Sequence, residues 1–404
     1  MKEPITVLFI PRWYPNRTDP MAGLYIQQLA ESLIPDCEVA VLSVHPDNNC
    51  SSHREIEISG ENGVHVVRIY YRVPRLKILL PAGLMKMISF LSAYREGLRV
   101  TRNFVPDLLH VHVLTRHGMI AWINKLYHKV PYVVSEHWSR YFPENGTFKG
   151  SGRKMLTKLV AKDAAGLIAV SEKLKEAMTV HGLNNSNFQV IPNSVDFERF
   201  VPAEGAEKQT RKKIVHVSCF EDKSKNISAL LRVMARLAEV RNDFTCSLIG
   251  EGPDLEKMKI YARELNLDEK IVRFEGLQTG DMLVSSLNTA DFMVLSSRYE
   301  TFATVVVESL ACGVPVVATA VGIAPEIINR SNGILVPPSD EEALFQAIQE
   351  MLDKCRDYDK TSIRSGVITT FDRKIIARQV KDFYTGVIKS SRIPHPASRN
   401  QQHV

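Results

Sequence analysis

The main constraint on the fold is a regular alternation along the whole chain, in which short runs rich in Val, Ile and Leu are separated by segments with helical periodicity. Strands separated by helices are typical of parallel sheets with crossover helices. The first series of strands is predicted at residues 5–10, 39–44, 64–70, 107–113, 131–135, 166–171 and 188–192, and the second at 214–218, 244–250, 270–276, 291–296, 314–319 and 333–337. The sequence therefore predicts an α/β protein with two sheets.

A polar, nearly aperiodic stretch follows Asn193 and separates the two series. Such breaks indicate connecting loops, and 404 residues of which 45% are hydrophobic are enough for two cores. We therefore predict two Rossmann-like β/α/β domains, over residues 1–197 and 198–370. Residues 371–391 have apolar side chains at helical spacing and predict a closing helix that returns to the first domain. The polar segment 392–404 is expected to be disordered.

Cysteine usage and hydropathy limit the compartment. The six cysteines include no C-x-x-C pair and have no His tract near them, so neither a disulfide framework nor a zinc site is indicated. The apolar run at residues 5–10 is too short for a signal peptide. The longest apolar stretch, residues 78–91, contains Pro81 and Lys86 and is shorter than the roughly 20 residues that a membrane span needs. We expect a cytoplasmic protein without a membrane span.

The most informative segment for chemistry is 296–319, which passes from a strand through a loop into a helix. Ligands of parallel sheets bind beyond the carboxyl ends of strands, where helix N-termini present free amides to anions. Glu300 lies in the loop and Glu308 in the second turn of the helix, and the amides of residues 301–304 lie between them. Two carboxylates that accept hydroxyls on either side of an anion site suit a sugar nucleotide.

The spacing of these two glutamates is weak support by itself. Glu256 with Glu264, and Glu342 with Glu350, have the same eight-residue separation within helical patterns, where a solvated face explains them. The position of Glu300 at a strand–loop–helix turn favours the functional interpretation.

The stretch 299–337 resembles the donor-site signature of the retaining glycosyltransferases of family 4, which have the GT-B fold of two Rossmann-like domains facing across a cleft. The resemblance is in ETFATVVVESLACGVPVVAT, VGIAPEII and NGILVPPSD. Further segments occur in the family's order, namely AGLYIQQLAESL (22–33), PDLLHVH (106–112), AVSEKLKE (169–176), VIPNSVD (190–196), KNISALL (225–231) and LIGEGPDLEKM (248–258).

The resemblance implies transfer of a hexosyl group from a UDP- or GDP-sugar to a hydroxyl of a glycan or lipid-linked acceptor, with retention at the anomeric carbon. It implies no metal or other cofactor, and a role in cell-surface polysaccharide or glycolipid biosynthesis. Glu300 would hold the transferred sugar and Glu308 the ribose, while Lys225 would neutralise the diphosphate. The implied catalytic residues are Glu300, His137 and Lys225, and the implied donor-binding residues are Gly23, Lys225, Thr301, Phe302, Ala303, Thr304 and Glu308.

Two of these residues lie in the first domain. His137 matches a family histidine that faces the sugar, although a lone histidine is more often structural. Gly23 matches a glycine whose backbone approaches the diphosphate, and the alternative is a turn glycine without a ligand. His110 and His112 are expected to pack at a strand end rather than contact substrate.

The chain departs from the family pattern at two positions. Cys219 stands where the family usually has an arginine, six residues before Lys225, so half of the expected cationic clamp is missing. Lys223 is out of register for a direct substitution. Ala303 stands where a glycine is common, which narrows the backbone approach to the phosphate. Both changes leave the two glutamates in place, so they lower the expected donor affinity rather than remove the activity.

Residues 1–200 carry the whole net charge of +6, with a concentration between residues 68 and 102. The eight basic residues there are interleaved with apolar ones, and the segment contains a single acidic residue, Glu96. This composition suits peripheral contact with an anionic membrane, such as the inner face of the plasma membrane. The alternative is an apolar face packed on the sheet with solvated cations. Nucleic acid is a weaker candidate partner, because no recognised nucleic-acid-binding fold accompanies the charge.

Two other functions remain consistent with the same sequence. A hydrolase or epimerase of this fold would act on the sugar nucleotide without an acceptor. A non-catalytic protein would bind the sugar nucleotide without turnover, and Cys219 is the residue that favours it.

Overall fold

The computed structural model describes residues 4–73, 82–203, 210–267 and 269–391, which form two α/β domains. The strands of the first domain are β1 (Ile5–Pro11), β2 (Cys37–Pro46), β3 (Arg54–Glu61), β4 (Val64–Tyr71), β5 (Leu108–His112), β6 (Tyr132–Glu136), β7 (Gly166–Ala169) and β8 (Phe188–Val190). Its helices are α1 (Leu24–Leu33), α2 (Ala82–Val100), α3 (Arg116–His128), α4 (Ser151–Asp163) and α5 (Glu172–Val180). The strands form one sheet in the order β3-β4-β2-β1-β5-β6-β7-β8, in which only the β3–β4 pairing is antiparallel.

The second domain contains a parallel sheet of six strands. These are β9 (Lys212–Val217), β10 (Phe244–Ile249), β11 (Val272–Gly276), β12 (Phe292–Leu295), β13 (Val316–Thr319) and β14 (Gly333–Val336), in the order β11-β10-β9-β12-β13-β14. Its helices are α6 (Asp222–Lys225), α7 (Ile227–Val240), α8 (Leu255–Glu264), α9 (Gly280–Asn288), α10 (Thr304–Ala311), α11 (Ala324–Ile327), α12 (Glu341–Lys354) and α13 (Lys360–Phe371). All thirteen predicted strands are present, and the α/β fold class is confirmed.

Burial of both sheet faces explains why the strands are apolar throughout. On β1, Val7 and Phe9 pack into one hydrophobic cluster while Leu8 and Ile10 pack into another. Alternate side chains of a strand point to opposite faces, so helices cover this sheet on both sides.

The sequence analysis missed β3, which pairs with β4 at the edge of the first sheet. The two strands are joined by Asn62 and Gly63, whose φ angles of 48° and 87° belong to a tight hairpin turn. Strand β3 has charged residues at alternate positions, and such an edge discourages pairing with other chains. The Asn-Gly pair was therefore sufficient to predict this hairpin from the sequence.

The last described helix, α14 (Arg373–Ser391), leaves the second domain and packs on the first. It contributes Ile376, Val380 and Phe383 to the cluster that contains Val7 and Phe9. Its start lies two residues beyond the predicted start at 371, because Phe371 still belongs to α13. The segment 392–404, predicted to be disordered, lies outside the described residues.

The basic segment 68–102 lies only partly within the described residues, since 74–81 are outside them. Arg68 is 6% exposed and forms an ion pair with Glu61, so this cation faces the protein rather than a partner. Phe90 and Tyr94 of α2 are buried against the sheet, as the packing alternative expects, whereas Ile88 is half exposed. Among the described helices, none is both long and apolar enough to cross a membrane.

Candidate active site

The carboxyl edges of the two sheets face each other. Ser171 follows β7 and caps α5, accepting a hydrogen bond from the Leu174 amide at 3.2 Å. Its hydroxyl also donates to the carbonyl of Thr301, in the loop after β12, at 2.7 Å. The Lys223 ammonium donates to the carbonyl of Asn145, in the loop between β6 and α4, at 3.1 Å. These contacts bring together the two edges at which parallel sheets bind ligands, and they form an interdomain cleft.

An ion pair lies at the second-domain wall of this cleft. The Lys225 Nζ donates to Oε1 of Glu300 at 2.5 Å, and the Ser297 hydroxyl donates to the same oxygen at 2.7 Å. The side chains of Lys225 and Glu300 are 17% and 11% exposed, respectively. Lys225 ends α6 and is followed by Asn226 in the left-handed region, with φ 55°, before α7 begins.

The charge of Lys225 is stabilised by this arrangement. Burial by itself disfavours the ammonium, but the Glu300 carboxylate more than offsets it, and the pKa of Lys225 lies above its ordinary value. Lys225 is therefore cationic throughout the physiological pH range. An ammonium has three N–H donors, so two of them remain for an anion in the cleft while one binds Glu300.

The loop that carries Glu300 is braced from the neighbouring strand. The Thr319 hydroxyl donates to the carbonyl of Ser297 at 2.7 Å, and the Ile323 amide donates to the carbonyl of Phe302 at 2.8 Å. The Phe302 side chain is 2% exposed and belongs to the core. Of Phe302, only the backbone is therefore available to a ligand.

Helix α10 begins at Thr304, and Ala303 precedes it with φ 71° and ψ 64°. This left-handed conformation is strained for a residue with a Cβ atom and explains why a glycine suits the position. The first amides of a helix have no intrahelical acceptor, so the amides at Ala303 and Thr304 are suited to an anion.

Glu308, one turn further along α10, is half-buried and has neither a hydrogen-bond donor nor an ion-pair partner among the described residues. Burial raises its pKa to about 7. A carboxylate without protein partners at the cleft end of a helix can accept hydrogen bonds from ligand hydroxyls.

Replacing Glu308 with Gln is expected to stabilise the free protein in a pH-dependent way. Because the folded pKa of about 7 exceeds that of an exposed glutamate, the wild-type protein loses stability as the pH rises from about 4.5 to 7. The amide avoids this loss, so the free energy of unfolding should rise by about 1–3 kcal/mol at pH 8 and by less than about 1 kcal/mol at pH 5. Urea unfolding at the two pH values measures it. Glu264→Gln, on the exposed face of α8, is the control, and an equal gain in both variants would contradict a specific effect of Glu308.

The first-domain wall of the cleft contains Gly23 and His137. Gly23 caps α1 with φ 66°, and an added Cβ would collide with the carbonyl oxygen of Trp13. Tyr25, two residues later, has its ring centroid 4.6 Å from that of His137. These two predicted residues are therefore close together, whereas in the described chain no hydrogen bond joins His137 to Lys225 or Glu300 across the cleft.

His137 is held by a second histidine. Its Nε2 lies 3.2 Å from Nδ1 of His112, while its Nδ1 is buried without a protein partner among the described residues. Burial lowers the pKa of His137 to about 3, so the imidazole is neutral and suits a hydrogen bond to a hydroxyl. His110 and His112 are fully buried, which confirms that they pack at the strand end.

The structure also bears on the departure at Cys219. This residue is exposed in the loop after β9. Lys223 is engaged by the carbonyl of Asn145 and does not take the place of the missing arginine. Within the described residues, no group of three or more His, Cys, Asp or Glu side chains is placed to hold a metal ion.

Sequence reasoning missed two residues that organise the cleft, Ser171 and Ser297. Ser297 precedes Glu300 by three residues, a separation at which side chains in a turn can form a hydrogen bond. Its hydrogen bond to Glu300 was therefore predictable from the local sequence. Ser171 was recognisable as a helix cap in AVSEKLKE. Its bond to Thr301 joins residues 130 apart in the chain, and no local pattern indicates it.

Two Rossmann-like domains that meet at the carboxyl edges of their sheets define the GT-B class of glycosyltransferases. A sucrose-phosphate synthase from Thermosynechococcus elongatus has this fold, with a TM-score of 0.79 at 22% identity over 96% of this chain and 100% of its own. Anabaena HepE, solved in complex with UDP-glucose, has a TM-score of 0.71 at 17% identity over 95% of this chain and 100% of its own.

The family assignment follows from the sequence of each domain. Residues 22–194 match the glycosyl transferase 4-like domain, and residues 198–364 match glycosyl transferases group 1. The chain belongs to this family of GT-B glycosyltransferases, known as family 4, which confirms the predicted resemblance. It is 25% identical to glycogen synthase of Mycobacterium tuberculosis over 75% of both chains. It is also 25% identical to TuaC of Bacillus subtilis, named as a glycosyltransferase of teichuronic acid biosynthesis, over 85% of this chain and 88% of that protein.

Proposed function

We propose that this protein is a retaining hexosyltransferase that uses a UDP-sugar and glycosylates a hydroxyl group in cell-surface polysaccharide or glycolipid biosynthesis. The observation that carries the proposal is the Lys225–Glu300 pair at the cleft, together with Glu308 in the following helix α10, which has no side-chain partner among the described residues. The UDP-glucose complex of HepE favours uracil as the base of the donor. The name of TuaC, which refers to teichuronic acid biosynthesis, favours a polysaccharide as the product.

Each side chain has a distinct task in this proposal. Glu308 accepts hydrogen bonds from the ribose hydroxyls, and Glu300 accepts them from the transferred sugar. The Lys225 ammonium and the amides at Ala303 and Thr304 neutralise the diphosphate, so that the leaving group departs without a metal ion. The neutral imidazole of His137 binds a sugar hydroxyl from the opposite domain.

Retention follows if the acceptor attacks on the face from which the diphosphate leaves. The bond between the anomeric carbon and the phosphate oxygen breaks, and the acceptor oxygen forms its bond to that carbon on the same side. The acceptor proton moves to the departing phosphate oxygen. Lys225 supports this step because its charge stabilises the phosphate as negative charge accumulates there.

A donor panel tests the proposal most directly. UDP, GDP and ADP sugars are added separately, and a UDP-sugar should raise the melting temperature most, because a ligand that binds the native state stabilises it. With an acceptor panel, the product should have the anomeric configuration of the donor by NMR, and transfer should persist in EDTA. Release or isomerisation of the sugar without an acceptor would identify a hydrolase or an epimerase. Donor binding without turnover would identify a non-catalytic protein.

We further propose that the protein contacts the inner face of the plasma membrane and reaches a lipid-linked or glycan acceptor there. A groove of about 780 Å³ lies between α2 and α3 and is lined by Leu91, Leu98 and Tyr127. Tyr127 is 80% exposed. The arginines on its rim, none of which forms an ion pair in the part of the chain that the structure describes, are Arg95, Arg99 and Arg102.

Flotation with liposomes tests this contact. Cations near an anionic bilayer contribute about 1 kcal/mol each to binding, so the protein should float with phosphatidylglycerol vesicles. The triple variant Arg95→Ala, Arg99→Ala, Arg102→Ala should remain in the bottom fraction of the gradient. Flotation with neutral vesicles alone, or no flotation at moderate salt, would refute the proposal.

A further inference from the structure

A second cavity, of about 350 Å³, lies at the carboxyl edge of the first sheet and is lined by four arginines. Arg12 follows β1, Arg116 opens α3 just after β5, and Arg140 follows β6. Arg153 reaches the cavity from α4. Strands β1, β5 and β6 are neighbours in the sheet, so their ends bring together side chains that are far apart in the sequence.

These guanidinium groups have almost no protein partners. In the described chain none of the four forms an ion pair, and their single hydrogen bond runs from Arg12 Nη1 to the Thr115 hydroxyl at 3.4 Å. Arg140 is 4% exposed, and its Nε, like that of Arg12, is buried without an acceptor from any residue that the structure describes. A buried donor without an acceptor is costly. This arrangement is therefore expected where a ligand completes the hydrogen bonding.

Other arginines of the same domain are paired with acids. Arg68 contacts Glu61 at 2.6 Å, and Arg17 contacts Asp47 at 2.7 Å. Arg95, Arg99 and Arg102 also lack an ion pair in the described chain, but they are exposed to solvent. What distinguishes this cavity is a buried arginine, Arg140, that has no acidic partner among the described residues.

Two of the arginines are held in place by tryptophan. The guanidinium carbon of Arg12 lies 4.2 Å from the centroid of the Trp138 ring, and that of Arg140 lies 4.1 Å from it. Stacking on a ring leaves the N–H edge of a guanidinium free for a planar or tetrahedral anion. The cations are therefore positioned before any ligand arrives.

The buried carboxylate of Glu136 offsets part of this charge but forms no ion pair with the four arginines among the described residues. Glu136 is fully buried, and its oxygens accept from the amides of Leu114, His137 and Trp138 and from the Tyr141 hydroxyl. Burial, and then the charges of Arg140 and Arg116, lower the pKa of Arg12 below its ordinary value. The cavity thus concentrates positive charge that repels itself and attracts an anion.

We propose that this cavity binds a phosphate or diphosphate group of the acceptor. The inference rests on the proposed glycosyltransferase function and names the chemistry of its acceptor. The ends of β1, β5 and β6 lie at the edge that faces the donor domain, and Asn145, five residues after Arg140, contacts Lys223 in the helix that carries Lys225. An acceptor anchored here by its anionic group would present a nearby hydroxyl to the cleft.

Calorimetric titration with inorganic pyrophosphate tests the site. Saturating UDP is present, so that the donor phosphate site is occupied. Wild-type protein should bind pyrophosphate. The double variant Arg116→Ala, Arg153→Ala should raise the dissociation constant at least about tenfold. Both positions are exposed, so the core stays intact. The matched control, Lys158→Ala with Lys162→Ala, removes two exposed cations of α4 and should change the dissociation constant less than about twofold. Equal weakening in both variants, or no binding by the wild type, would overturn the proposal.

The source of the phosphate is separated by competition. If farnesyl diphosphate displaces pyrophosphate and a hexose 6-phosphate does not, the site binds a lipid-linked acceptor. The reverse result assigns the site to a soluble phosphorylated sugar. Displacement by neither overturns the assignment to an acceptor. UDP binding is titrated separately in each variant, so a failure of the proposed donor function appears as lost UDP binding and is distinct from lost pyrophosphate binding.

Discussion

Replacing Glu300 with Gln should lower kcat by at least about 100-fold and leave the fold unchanged, because a preorganised charge at the reacting centre typically contributes this much. The amide keeps the size of the side chain and one oxygen, so it can still accept hydrogen bonds from Lys225 and Ser297, which contact the carboxylate at 2.5 and 2.7 Å. It loses the negative charge that, under the proposed function, stabilises the sugar as its anomeric carbon becomes electron-deficient. Initial rates with a UDP-sugar and circular dichroism measure the two effects.

The control for this substitution is Glu256→Gln, which removes a carboxylate from the exposed surface of α8, where Glu256 pairs with Lys259. Its turnover should equal that of the wild type. Turnover of the Glu300→Gln protein within about threefold of the wild type would remove Glu300 from the reaction.

Lys225→Met is the second substitution with a large expected effect, on turnover and on stability together. In the proposed mechanism the ammonium neutralises the diphosphate, so its loss should lower kcat/KM by about 100-fold or more. It also leaves the Glu300 carboxylate, which is 11% exposed, without its ion-pair partner. An unpaired, largely buried charge should reduce the free energy of unfolding by about 1–3 kcal/mol.

A double-mutant cycle separates the two effects. Adding Glu300→Gln to Lys225→Met removes the unpaired charge, so the double variant should regain much of the lost stability and none of the activity. Guanidinium unfolding curves and rate measurements on the four proteins complete the cycle. If the double variant were less stable than the wild type by the sum of the losses of the two single variants, the two side chains would act independently, contrary to their contact.

The fold could be predicted from the sequence because most helices and strands have a characteristic local pattern of apolar residues. Buried parallel strands are apolar along their whole length and helices have a period of 3.6 residues, so the alternation predicted both sheets. Strand β3 was missed because Arg54–Glu61 carries charges at alternate positions and has no apolar run. Only its Asn62-Gly63 turn indicated a hairpin.

The sequence predicted candidate site residues but not their partners. Glu300, Glu308 and Lys225 were predicted from motifs, and no partner was predicted for the Lys225 ammonium. That ammonium contacts a carboxylate 75 residues away. The basic segment shows the same limit, since Arg68 resembles its exposed neighbours in sequence but is buried against Glu61.

Local patterns alone determined the α/β class, the succession of strands and helices and the family of this protein, because periodicity, turn chemistry and motif spacing act over a few residues. The tertiary structure alone decided that Lys225 pairs with Glu300, that Ser171 joins the domains and that four arginines line one cavity without acidic partners among the described residues. Parallel strands place their carboxyl ends at one edge whatever their distance along the chain. Contacts at that edge therefore depend on strand order, which no local pattern in the sequence encodes.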